Sequence, residues 1–199
     1  MRPGYIDGMV LTQDLLSQAL DALGQVLAQR NQSHEVVAIG GGSLLLLGLI
    51  QRPTRDIDLV ALVEAGRYLS AEPIPASLKQ AVAEVGRAYG LASDWMNAGP
   101  TELLCLGLPE GFQDRIVTHT YGGLTVHIAS RFDQICFKLY ASVDQGPQSK
   151  HFADLKRLVP TGQELARARS WCVTHDTSSA FGDQLEQALA ALETARDGS

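Results

Sequence analysis

The chain has 199 residues, 45% of them hydrophobic and 19% charged, with a net charge of -6. That length suits one domain, or one domain with a helical extension, and the apolar content supports a core without disulfide or metal staples. The acidic balance excludes a broadly basic nucleic-acid-binding face, so any RNA or DNA partner has to be argued from a local site.

Thr12 to Arg30 has Leu16, Leu20, Leu23 and Leu27 at helical spacing and reads as an amphipathic helix. After a polar break, Val36 to Ile39 is an apolar run fit for a buried strand. Gly40-Gly41-Gly42-Ser43 reads as a turn, Leu44 to Ile50 as a short buried helix, and Gln51 to Arg55 as a loop. Asp56 to Leu62 reads as a second strand. Pro75 to Tyr89 is helical, with Leu78, Val82, Val85 and Tyr89 on one stripe. Leu103 to Leu108 is expected to be a strand. Arg115 to Tyr121 and Leu124 to Ala129 flank Gly122-Gly123, a hairpin signal. Further helices are expected over Phe132 to Val143, Ser149 to Leu158, Leu165 to Cys172 and Phe181 to Leu192. Strands interleaved with helices, plus a hairpin, predict an α/β (α+β) fold with a mixed sheet.

Cys105, Cys136 and Cys172 are odd in number and have no CxxC spacing, so reduced, mostly buried thiols are expected. Met1 to Asp14 has no apolar run behind a basic segment, and no signal peptide is expected. The longest apolar stretch, Leu44 to Ile50, is too short to span a bilayer. The expectation is a soluble, cytoplasmic protein with no membrane partner.

Two motifs carry chemistry. In the first, a strand runs into Gly40-Gly41-Gly42-Ser43 and then a helix. Glycines let the backbone approach phosphate oxygens, free N–H groups face the anion, and Ser43 adds a hydroxyl. The second is Arg55-Asp56-Ile57-Asp58-Leu59-Val60. Residues i and i+2 of a strand share a face, so Asp56 and Asp58 project together while Ile57 and Leu59 enter the core. Adjacent carboxylates repel, and a hard divalent cation between them relieves the repulsion. Twelve residues separate Ser43 from Asp56, enough for a short helix returning to a neighbouring strand. Both motifs then share one end of the sheet.

Together they resemble the nucleotidyltransferase superfamily that includes DNA polymerase β and the minimal nucleotidyltransferases. The run Thr54-Arg55-Asp56-Ile57-Asp58-Leu59 looks especially like its AbiEii-type branch, which includes toxins of bacterial toxin–antitoxin systems. The resemblance is specific over residues 36–62, fair over 124–158 and silent elsewhere. It implies a mixed-sheet nucleotidyltransferase core at roughly residues 30–130, within an N-terminal part over 1–130. A helical segment over 131–199 follows, or forms one continuous domain with it.

The resemblance further implies Mg²⁺ or Mn²⁺ on Asp56 and Asp58, and an NTP as co-substrate. Gly41, Gly42, Ser43 and Lys138 would hold its phosphates, and Asp154 would position Lys138 or the substrate. Arg52 and Arg55 flank the carboxylate strand and could reach phosphate, or Arg55 simply pairs with Asp56. Many members carry a third carboxylate on a later strand as general base. Here that strand reads Leu124-Thr125-Val126-His127-Ile128. His127 is a base, a partner to the carboxylates, or an unrelated strand residue. Asp94 is a further candidate acid, more simply a turn residue. The implied activity moves an NMP from an NTP to an acceptor hydroxyl on a tRNA, a protein or a small molecule. The implied partner is a cognate antitoxin; the oligomeric state is not legible. The rivals are a catalytically inactive nucleotide-binding relative, and an interaction protein using the stripe of Phe181, Leu185, Ala188, Leu189 and Leu192.

Overall fold

The structure is a computed structural model that describes residues 9–197. The first eight residues of the segment scanned for a signal peptide lie outside the described residues. Two compact units divide the chain: one holds the described residues up to Cys105 together with Val117–Ile128, the other Leu106–Ile116 and the chain from Ala129 onward.

The first unit begins with α1 (Gln13–Gln29), whose N-cap Thr12 accepts a hydrogen bond from the Leu15 N–H through its hydroxyl. Its stripe of Leu16, Leu20, Leu23 and Leu27 is fully buried. Strand β1 (His34–Ile39) then leads directly into α2 (Gly40–Leu46). Strand β2 (Ile57–Glu64) runs antiparallel to β1, with Asp58 opposite Ile39 and a β-bulge at Val37/Ala38. A tight turn through Ala65 (φ 49°) and Gly66 (φ 74°) leads to the edge strand β3 (Arg67–Ser70). Helix α3 (Ala76–Tyr89) is closed by Gly90 at φ 67°. The two-residue β4 (Met96–Asn97) lies parallel to the start of β2. Strands β5 (Val117–Tyr121) and β6 (Leu124–Ile128) form the hairpin expected at Gly122-Gly123, and β6 pairs with β1 in parallel. The result is a mixed six-stranded sheet in the order β3-β2-β1-β6-β5, with β4 also on β2.

The expected strand at Leu103 to Leu108 is instead α4 (Glu102–Leu106), entered through a 3₁₀ turn at Gly99–Thr101. Glu and Leu are strong helix formers, Pro100 opens the turn, and a short apolar run does not by itself distinguish helix from strand. The turn expected at Gly40 to Ser43 belongs to the first turn of α2, which ends at Leu46 rather than Ile50.

The second unit is helical: α5 (Phe112–Arg115), α6 (Arg131–Gln145), α7 (Lys150–Arg157), α8 (Gly162–His175) and α9 (Ser179–Asp197). Helix α6 packs against α7, α8 and α9. Edge-on aromatic contacts join Phe137 to Trp171 and Tyr140 to Trp171. A capping box between Thr161 and Glu164 starts α8. Phe181, Leu185, Ala188 and Leu192 of α9 are buried.

Close packing in the first unit makes one glycine irreplaceable. A Cβ on Gly24, inside α1, would lie 1.4 Å from the Tyr121 carbonyl oxygen of the β5–β6 hairpin. Alanine is the better helix former by about 1 kcal/mol. Gly24→Ala is nonetheless expected to destabilise the fold by about 1–3 kcal/mol in chemical denaturation, because the hairpin has to move.

Candidate active site

Asp56 immediately precedes β2 and Asp58 is its second residue. Both are half-buried, whereas Ile57 and Leu59 are fully buried, as alternation along a strand requires. Each carboxylate has a neighbouring donor. The Thr54 hydroxyl lies 3.4 Å from Asp56 Oδ1, and the Asn97 side-chain amide donates to Asp58 Oδ1 at 3.3 Å. Thr54 is itself fixed by reciprocal backbone hydrogen bonds with Leu11, of 2.7 and 3.0 Å.

The glycines of α2 press directly on this strand. Gly40 has φ +80°, and a Cβ there would lie 2.5 Å from Asp58 Oδ2. A Cβ on Gly41 would lie 3.0 Å from Thr54 Oγ1 and 3.5 Å from Arg52 Nη2, and one on Gly42 would lie 2.9 Å from the Asp56 carbonyl oxygen. Backbone of the carboxylate segment thus blocks a side chain at Gly42 and the positive φ disfavours one at Gly40, whereas at Gly41 the Thr54 side chain would have to give. Ser43 is completely buried, and its hydroxyl has no hydrogen-bond partner. Such a group is costly unless something else satisfies it. Arg52 turns its Nη1 toward the Pro53 carbonyl at 3.3 Å, and Arg55 is exposed.

His127 lies on β6. Its Nδ1 is 2.9 Å from Thr118 Oγ1 and its Nε2 is 3.1 Å from Glu35 Oε2. Asp58 pairs with Ile39 and His127 with Val37, so the two side chains share a sheet face with β1 between them. Two strand spacings put their backbones roughly 10 Å apart or more. Asp94 occupies an exposed turn, and the neighbouring Trp95 is buried with its indole N–H donating to the Val82 carbonyl. Among the described residues, no group of three or more His, Cys, Asp or Glu side chains is arranged to hold a metal ion.

Lys138 and Asp154 belong to the second unit. Lys138 Nζ lies 2.9 Å from Asp154 Oδ2, and both side chains are buried. Lys138, the one charge within the apolar run Ile135 to Val143, thus faces a buried carboxylate. In the same unit, burial raises the Cys172 thiol and pushes Cys136 up to about 12, so neither is a nucleophile at neutral pH.

Sequence reasoning passed over Thr54, Asn97, Glu35 and Thr118. Only Asn97 carried a local signal: Asn97-Ala98-Gly99 folds as a turn in which Asn97 Oδ1 accepts the Gly99 N–H at 2.9 Å.

A mixed sheet with glycines packed against a strand-borne aspartate pair agrees with a nucleotidyltransferase. The chain belongs to the family described as nucleotidyltransferase of unknown function, DUF6036, whose model matches residues 15–149. That span contains the glycine turn, both aspartates, His127 and Lys138, and stops short of Asp154. No curated protein and no solved structure matches the chain. No described helix is long and apolar enough to cross a membrane.

Two outcomes follow for the second unit and the thiols. Lys138→Met removes the cation facing a buried carboxylate and is expected to cost about 3–5 kcal/mol in chemical denaturation. Lys138→Met/Asp154→Leu is expected to recover most of that loss. A disulfide exchange reagent is expected to label one thiol of the native protein, the exposed Cys105, and all three after unfolding.

Proposed function

We propose that this nucleotidyltransferase is metal-dependent and moves an NMP from an NTP to an acceptor hydroxyl. One observation carries the reading: Asp58 Oδ2 occupies the place where Gly40 would carry a side chain. That approach supports reading the glycine turn and the carboxylate pair as one site.

The donor set suits a hard divalent cation. Mg²⁺ is commonly held by one or two protein carboxylates, with substrate phosphate and water completing its shell. Asp56 and Asp58 would supply that pair, for Mg²⁺ or Mn²⁺, and no third acid among the described residues joins them. When bound, the metal supplies positive charge to the phosphoryl oxygens during transfer.

The chain's own residues do the rest. The bare backbone of Gly41 and Gly42 admits phosphate oxygens at close range, and Ser43 provides a hydroxyl with no other partner. Arg52 and Arg55 flank the pair and offset phosphate charge. The acceptor oxygen attacks the α-phosphorus in line, its bond forms as the bond to pyrophosphate breaks, and its proton passes to a base. His127 is the proposed base: with Nε2 held on Glu35, Nδ1 would exchange its contact with Thr118 for the acceptor's proton. The assignment uses residues of the first unit only. Membership of the AbiEii-type branch, and with it a cytoplasmic toxin role and a tRNA acceptor, is supported by the Thr54 to Leu59 run alone.

Calorimetry of each NTP with and without Mg²⁺ tests the reading. Wild type is expected to bind at least one NTP only when metal is present, and Asp56→Ala/Asp58→Ala is expected to lose at least tenfold in affinity. Pyrophosphate release with an acceptor separates an enzyme from a binding-only relative. Equal metal-dependent NTP binding by wild type and the double variant would sink the assignment.

A further inference from the structure

We propose that Asn97 is a positioning residue of the carboxylate pair, holding Asp58 for the metal without adding a third carboxylate, so that cation and nucleotide bind together. The inference rests on the reading of Asp56 and Asp58 as metal carboxylates.

Strand β4 is only two residues long, and its register sets Asn97 directly opposite Asp58. Its place is rigid. Trp95 and Met96 before it and Ala98 after it are buried, and the Ile57 N–H donates to the Trp95 carbonyl at 2.7 Å. The amide's orientation follows from its two contacts. Oδ1 accepts the Gly99 N–H at 2.9 Å, so Nδ2 is the end that faces Asp58 Oδ1, at 3.3 Å. Asn97 therefore ties down Oδ1, while Oδ2 lies against the Gly40 backbone.

An aspartate at this position would have the same shape and would still accept the Gly99 N–H. Its second oxygen would then face Asp58 Oδ1 with like charge. Without metal that arrangement is repulsive; with metal it adds a ligand, and carboxylate count raises the affinity of a site for hard cations. The neutral amide keeps Asp58 ordered without creating a three-carboxylate trap that fills before the nucleotide arrives.

The test uses the full chain as wild type, Asn97→Asp, Asn97→Ala and Asp58→Ala. Mn²⁺ binding is measured by electron paramagnetic resonance without nucleotide and with ATP, beside thermal melts in chelator and in Mn²⁺. Asn97→Asp is expected to bind Mn²⁺ alone at least tenfold more tightly than wild type. It should melt below wild type in chelator and recover when Mn²⁺ is added. Asn97→Ala is expected to weaken Mn²⁺·ATP binding several-fold, an effect a purely structural residue would not have on the folded protein. If Mn²⁺ affinity is unchanged in Asn97→Asp, or if that variant does not fold and Asn97→Ala binds Mn²⁺·ATP like wild type, the proposal is overturned. Should Asp58→Ala also bind Mn²⁺·ATP like wild type, the metal reading itself has failed, and the role of Asn97 with it.

Discussion

Asp58 Oδ2 stands where a side chain on Gly40 would have to go. Much of the first unit is arranged around that approach. It favours a glycine directly after β1, and Gly40 also adopts φ +80°, which few other residues tolerate. It requires β2 to pair antiparallel with β1 in the register that sets Asp58 beside Ile39. It also requires the chain between α2 and β2 to return closely, which the reciprocal Leu11–Thr54 hydrogen bonds enforce. Two residues on, a Cβ on Gly42 would meet the Asp56 carbonyl oxygen and Ile57 Cα.

A neighbouring pair of carboxylates is unfavourable on its own. The fold offsets the repulsion with one neutral donor for each: the Thr54 hydroxyl near Asp56 and the Asn97 amide at Asp58. Neither of these two donors brings a charge. On the proposed reading, stability and function meet here, because the donors that make an empty site tolerable also orient it. The second unit handles buried charge differently. Its Lys138 and Asp154 side chains meet closed to solvent, and Arg115 meets the buried Asp133 at 2.6 Å. Such pairs hold a helical packing in one arrangement, and removing either member is costly.

How much of this was legible in the sequence depended on the range of the signal. The α1 leucine stripe, the Gly122-Gly123 hairpin and the alternation of Asp56 and Asp58 with Ile57 and Leu59 are local patterns, and each formed as read. Leu103 to Leu108 failed because six residues carry too little periodicity to separate helix from strand. Strand β4 was invisible because two residues have no pattern, and its existence depends on pairing with β2. For the same reason Asn97 could not be assigned: its contact with Asp58 spans 39 positions and arises only from sheet register. Glu35 and Thr118 reach His127 through strand pairing too. Residues within a local motif could be named in advance; the groups that reach them through strand pairing could not.

The most direct test of the central claim is anomalous diffraction from crystals grown with Mn²⁺ and a non-hydrolysable NTP analogue. The account predicts a manganese peak in contact with both Asp56 and Asp58, with phosphate oxygens against Gly41, Gly42 and Ser43. A manganese ion and nucleotide bound elsewhere, with no metal at the aspartate pair, would contradict it.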